Sequence, residues 1–194
     1  ILNLSFNKIT NGKYLSKLKA ITALNISNNQ IKDIDFISNF KILKWLNVDN
    51  NTINTKNRIP LLSELRKVSL QYCNLTSLYI VSSLENLTEL NVSNNKLKNI
   101  SGVEKLKKLS ILKFNSNNLT NIDQVQQLAE LEILELSNNK LTKFPEISSL
   151  KYLTFLDIKN NQIKTIPSFS IENAIIYAHN NPFSNIYLFK NPTT

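Results

Sequence analysis

One spelling returns every 22 residues along this chain, and little freedom is left in how such a chain can fold. Asn7, Asn29, Asn51, Cys73, Asn95, Asn117, Asn139 and Asn161 stand in register. Each is preceded by two apolar residues flanking a single position: Leu2/Leu4, Leu24/Ile26, Leu46/Val48, Val68/Leu70, Leu90/Val92, Leu112/Phe114, Leu134/Leu136 and Leu156/Ile158. A ninth, shorter unit follows with Ile176/Ala178, Asn181 and Phe183. A fixed period of this length signals stacked supersecondary units.

The alternation dictates the local structure. In each apolar pair the two side chains point to one face of a short strand and the residue between them to the other. Stacked units place those strands side by side in parallel, ~4.8 Å apart, so nine of them make a ridge of about 40 Å. Further apolar positions, Leu97, Ile100, Val103 and Leu106 in the fifth unit, fold back over the sheet. No unit buries this core alone, so stability is a sum of interfaces between neighbours. The Asn column is expected to form a buried ladder, because the turn out of each strand leaves backbone groups that a short amide can satisfy. Cys73 occupies one rung and is read as a buried structural thiol; one cysteine excludes an internal disulfide.

Departures from the spelling predict departures from the coil. Lys56 replaces the apolar residue of the third unit and Arg58-Ile59-Pro60 follows, which points to an irregular outer loop. Phe144-Pro145 and Ile166-Pro167 favour extended outer segments in the seventh and eighth units, since Pro lacks a donor and fixes its backbone.

Leu87, Leu90, Val92, Asn95, Leu97, Ile100, Val103 and Leu106 spell LxxLxLxxNxLxxIxxVxxL, and Leu109 restarts it. This resembles the 22-residue class of leucine-rich repeat, as in the nuclear regulatory subunit of protein phosphatase 1, the axonemal dynein light chain and the bacterial internalins. The resemblance implies an α/β solenoid: a horseshoe with a concave parallel sheet of about nine short strands and a convex side of short helices, 3-10 turns or extended segments. It divides the chain into a repeat domain, 1–183, with a truncated first and a short last repeat, and a capping tail, 184–194. It also implies a non-catalytic module, scaffold or regulatory subunit, that binds a partner protein on the concave face. A host-directed bacterial adhesin or effector of the internalin type is the alternative within the same fold.

Three columns should face that concave side. The residue before each apolar pair reads Ile1, Ala23, Trp45, Lys67, Glu89, Ile111, Ile133, Phe155, Ile175; the residue inside it reads Asn3, Asn25, Asn47, Ser69, Asn91, Lys113, Glu135, Asp157, Tyr177; the next reads Ser5, Ser27, Asp49, Gln71, Ser93, Asn115, Ser137, Lys159, His179. Ile111, Ile133, Phe155 and Ile175 form an unbroken apolar stripe with Tyr177 beside it, and Trp45 with Tyr72 is read as a separate aromatic spot. Contiguous apolar surface and aromatic anchors mark interfaces. Glu135 and Asp157 are read as an acidic spot for a partner's Lys or Arg, and Lys67, Glu89 and Lys113 complete the candidate partner-binding set.

Net charge is +9, which raises RNA or an anionic lipid surface as a further alternative. The columns, however, balance Lys67, Lys113 and Lys159 against Asp49, Glu89, Glu135 and Asp157, and the excess falls on outer residues such as Lys13, Lys17, Lys19, Lys96, Lys98, Lys105, Lys107 and Lys108. A nucleic-acid groove needs charge and aromatics on one face, so nucleic acid is disfavoured. No phosphate loop, metal-ligand cluster or nucleophile with its base is spelled out, so neither a cofactor nor an enzyme is expected. No apolar run is long enough to span a bilayer. The chain opens inside a repeat without Met, so a preceding segment is expected. The single cysteine leans toward a cytoplasmic or nuclear rather than secreted location, with the chain a monomer alone or a subunit of a larger assembly.

Overall fold

The computed structural model describes residues 1–54, 56–167 and 174–184. Among the described residues nine short strands form one parallel sheet in strict chain order: β1 Leu2–Asn3, β2 Ala23–Asn25, β3 Trp45–Asn47, β4 Lys67–Ser69, β5 Glu89–Asn91, β6 Ile111–Lys113, β7 Ile133–Glu135, β8 Phe155–Asp157 and β9 Ile175–Tyr177. Neighbours pair without a slip, Leu90 opposite Leu112 and Leu112 opposite Leu134. The period of the spelling is therefore the register of the sheet. A one-residue slip would turn every buried leucine to solvent, so burial holds the register.

The inward residues make one continuous core. Leu24, Leu46, Leu90, Leu112, Leu134 and Leu156 are fully buried, as are Ile26, Val48, Leu70, Val92, Phe114, Leu136 and Ile158. Leu97, Ile100, Val103 and Leu106 close over them from the outer side. The return path is short 3-10 segments, Lys13–Lys17, Asp35–Asn39, Tyr79–Val81, Val103–Lys105 and Asp123–Gln127. Among the described residues the third and seventh units have no helical segment, in keeping with Lys56 and Phe144-Pro145, whereas the outer segment expected after Ile166-Pro167 lies outside the described residues. Phe144, Pro145 and Ile166 are buried, so these stretches still contribute side chains to the core. No helix among the described residues is long and apolar enough to cross a membrane. The expected capping tail lies, beyond Ser184, outside the described residues.

The Asn column is a ladder between coils. In Asn95 the amide Nδ2 donates to Leu70 O (2.8 Å), Val92 O (2.9 Å) and Ser93 O (3.1 Å), while Oδ1 accepts from Cys73 N–H (3.0 Å) and Leu75 N–H (2.9 Å). Each amide thus ties its own turn to the preceding coil. Cys73 is buried and its Sγ reaches Val48 O and Gln71 O at 3.4 Å. Burial pushes the thiol up to about 12, so it stays protonated and unreactive. A thiol offers no carbonyl oxygen: Ile31 N–H bonds Asn51 Oδ1 and Leu75 N–H bonds Asn95 Oδ1, but among the described residues Ile53 N–H has no such bond to Cys73. Cys73→Asn should complete the rung, gaining about 1 kcal/mol and raising the melting temperature by roughly 2–4 °C. A melting temperature equal to or below that of the parent chain would show that this rung is not limited by the missing acceptor.

A second ladder was not foreseen. Phe6, Asn28, Asn50, Tyr72, Asn94, Ser116, Asn138, Asn160 and Asn180 all have left-handed backbone, φ 52 to 59°. Asn tolerates that region best among residues with a side chain, which explains the recurring Asn-Asn doublet. Several amides link across coils, Asn50 Nδ2 to Asn28 Oδ1 at 2.7 Å and Asn180 Nδ2 to Asn160 Oδ1 at 2.7 Å.

Candidate functional site

The concave side is where the sheet leaves side chains that the core does not use. Ile111, Ile133 and Phe155 are half-buried between lateral neighbours, and Ile175 is 58% exposed. They stand directly opposite one another through β6 to β9, so the stripe read from the column is continuous in space. Tyr177, 47% exposed, meets Phe155 edge-on with ring centroids 5.6 Å apart. An edge-to-face pair of this kind fixes both rings at a surface that faces solvent.

Three lysine–carboxylate pairs form on this face within the chain. Lys67 Nζ lies 2.9 Å from Glu89 Oε2, Lys113 Nζ 2.7 Å from Glu135 Oε1, and Lys159 Nζ 2.7 Å from Asp157 Oδ2. Lys113 and Glu135 are cross-strand neighbours, whereas Lys159 folds back on Asp157 in its own unit and also sits over the Tyr177 ring, 5.7 Å from its centroid. The free acidic spot expected at Glu135 and Asp157 is therefore corrected: the two are opposite one another, but each carboxylate is already held by a lysine.

The aromatic spot expected from Trp45 and Tyr72 is corrected as well. Trp45 stands opposite Lys67 at the start of the strand, and Tyr72 lies five residues beyond Lys67 in the next unit, in the left-handed turn. At ~3.3 Å per residue that separation is about 15 Å, so they occupy opposite rims of the sheet. Trp45 is half-buried between Ala23 and Lys67, while Tyr72 is 58% exposed.

Much of the polar column proves to be structural. Asn25 Oδ1 accepts the Ser27 N–H (3.0 Å), Asn47 Oδ1 the Asp49 N–H (2.8 Å) and Asn91 Oδ1 the Ser93 N–H (3.1 Å). These amides close local turns at the strand ends. Where Ser69 and Glu135 cannot do so, the preceding unit supplies the acceptor: Asp49 Oδ1 takes Gln71 N–H at 2.7 Å, and Asn115 Oδ1 takes Ser137 N–H at 2.9 Å. The outer lysines named above are exposed on the return path, away from the columns.

Comparison with known proteins places this geometry. A family model described as leucine rich repeats (2 copies) matches residues 63–105 and 129–171. Internalin C2 of Listeria monocytogenes is similar in fold, with TM-score 0.78 and 21% identity over 92% of this chain and 79% of that one. Internalin F of the same species gives TM-score 0.71 and 27% identity over 95% of this chain, and a leucine-rich repeat protein of Leptospira interrogans gives 0.73 and 27% over 95%. The chain spans 62% and 56% of those two proteins. None of the curated proteins compared with it matches by sequence. Such solenoids are generally non-catalytic interaction scaffolds. A chain that repeats this spelling, stacks it in one parallel sheet and superposes on repeat proteins of two bacterial species is itself a leucine-rich repeat protein.

Proposed function

We propose that this is a non-catalytic protein-interaction module that docks a partner protein on the C-terminal half of its concave face. One observation carries the reading: Ile111, Ile133, Phe155 and Ile175 form an unbroken apolar row across four register-paired strands, extended by Tyr177. The core does not need these side chains, and a contiguous apolar surface rimmed by polar groups is the usual mark of an interface. The flanking lysine–carboxylate pairs support it, because a partner's apolar groups would desolvate no unmatched charge there. Trp45, Lys67, Glu89 and Tyr72 lie outside this row and are secondary candidates.

Ile133→Ala combined with Phe155→Ala is expected to weaken partner capture at least tenfold, since truncating two central apolar contacts removes ~1–2 kcal/mol each. Neither side chain is a core residue, so the fold should persist by circular dichroism. Unchanged capture by the folded variant would move the docking surface elsewhere. A second reading, a host-directed bacterial protein of the internalin type, is supported by the similarity to two internalins. The sequence flanking residues 1 and 194 decides between them: a leader or anchor favours it, and a cytoplasmic or nuclear location favours the scaffold.

A further inference from the structure

We propose that the rim formed by Asp49 and Tyr72 is a subsite for a cationic side chain, Arg or Lys, of the bound partner. Asp49 is set apart from every other carboxylate of the concave columns. Glu89, Glu135 and Asp157 each have a lysine within 2.9 Å, whereas among the described residues no cation of the chain pairs with Asp49. The concave side, otherwise neutralised within itself, thus keeps one unmatched charge.

The fold does not need that charge. Asp49 Oδ1 accepts from Ser69 Oγ (2.7 Å) and Gln71 N–H (2.7 Å), and Oδ2 from Gln71 Nε2 (3.1 Å). Three units on, in the same column, a neutral amide does the matching work: Asn115 Oδ1 accepts from Ser137 Oγ (2.8 Å) and Ser137 N–H (2.9 Å). Asn would therefore suffice at position 49, and the negative charge is surplus to the turn. These bonds hold the carboxylate in place and leave one of its ~four acceptor positions open.

Tyr72 is surplus in the same sense. It occupies the left-handed position, φ 53°, where six of the nine units use Asn and a bulky side chain is disfavoured. Its ring is 58% exposed and, with Asn28, Asp49, Asn50 and Gln71, lines a shallow depression of about 330 Å³. An exposed aromatic face beside a fixed, unpaired carboxylate suits a cation, which the ring attracts through its face and the carboxylate through its charge. No Lys or Arg lines the depression, so an anion finds no counter-charge there. The subsite rests on the reading that this side of the protein binds protein, although it lies apart from the apolar row and is tested without the partner.

The test titrates the isotope-labelled chain with N-acetyl-arginine amide, N-acetyl-lysine amide and the neutral N-acetyl-citrulline amide, following backbone amide signals. The cationic amides should shift Gln71 and Tyr72 saturably while the citrulline derivative does not, and the signals of Ile133 and Phe155 should stay in place. Asp49→Asn keeps the turn bonds and should weaken cation binding about fivefold, the size of one exposed ion pair. Tyr72→Asn, which suits the left-handed turn, should weaken it severalfold as well. Equal shifts from citrulline, or cation binding unchanged in Asp49→Asn, would overturn the subsite. Either result leaves the Ile133/Phe155 experiment to judge the apolar row on its own.

Discussion

Asn95→Asp is expected to destabilise the protein by about 3–5 kcal/mol at neutral pH, although it exchanges a single amide for an oxygen. The amide nitrogen of Asn95 faces three carbonyl oxygens, Leu70 O, Val92 O and Ser93 O, at 2.8 to 3.1 Å. A carboxylate oxygen in that place has nothing to donate and repels all three. The other oxygen still receives Cys73 N–H and Leu75 N–H, so the side chain cannot swing away without leaving buried donors unpaired. Protonation relieves part of the conflict, because one O–H can then reach one carbonyl. The folded state therefore binds the proton more tightly than the unfolded chain, whose Asp titrates near ~3.9. With the folded pKa raised, the penalty is smallest below about pH 4 and grows as the pH rises above it. Urea unfolding at pH 4 and pH 7 measures both. Asn7→Asp is the control: Asn7 is exposed and its amide donates to Leu4 O and Ser5 O within its own unit, so its loss should stay below ~1 kcal/mol. Equal losses at the two positions would mean that the interior ladder does not carry the coil-to-coil coupling.

How far the chain could be read without coordinates depended on whether the determinant was a position or a rotamer. Positions were legible. The spacing of Leu90, Val92 and Asn95 placed strand, core and ladder together, and Phe144-Pro145 foretold an outer segment of the seventh unit without a helical turn. The apolar stripe from Ile111 to Ile175 was readable because column neighbours in a parallel sheet without slips are spatial neighbours. Rotamers were not legible. Glu135 and Asp157 share a column, yet Lys113 reaches across a strand and Lys159 folds back on its own unit, which no spacing rule distinguishes. Trp45 and Tyr72 are separated for another reason: they belong to neighbouring units, but an offset of five positions within the repeat puts them on opposite rims. The left-handed ladder has a visible signal in the Asn-Asn doublet, whose first Asn takes the left-handed turn and whose second is the buried rung. Once that column is recognised, Tyr72 stands out in it and Asp49 becomes worth asking about.

Phe114→Ala should cost about 3–5 kcal/mol and change the form of unfolding as well as its midpoint. Phe114 is fully buried, among the largest such side chains, and is the one Phe in a column otherwise filled by Leu, Ile, Val or Ala. Its loss leaves a cavity that the stacked leucines Leu112, Leu134 and Leu136 cannot close, since the sheet on either side fixes their backbone. The site directly follows β6, so the defect weakens the interfaces toward both β5 and β7. In a solenoid stability is close to a sum over such interfaces, and a weak central one uncouples the two halves. The four strands from β6 onward then lose the support of the five before them, which remain the longer stack. Two resolved transitions are expected, with the C-terminal half melting first and the apolar row on Ile133, Phe155 and Ile175 lost with it. Ile176→Ala, at a half-buried position on the last strand, should cost only about 1–2 kcal/mol and leave one transition. Hydrogen exchange distinguishes the cases residue by residue: in Phe114→Ala the amides of β7 and β8 should lose protection well before those of β2 to β4. A single cooperative transition with uniform loss of protection would show that coupling along the sheet reaches further than nearest neighbours.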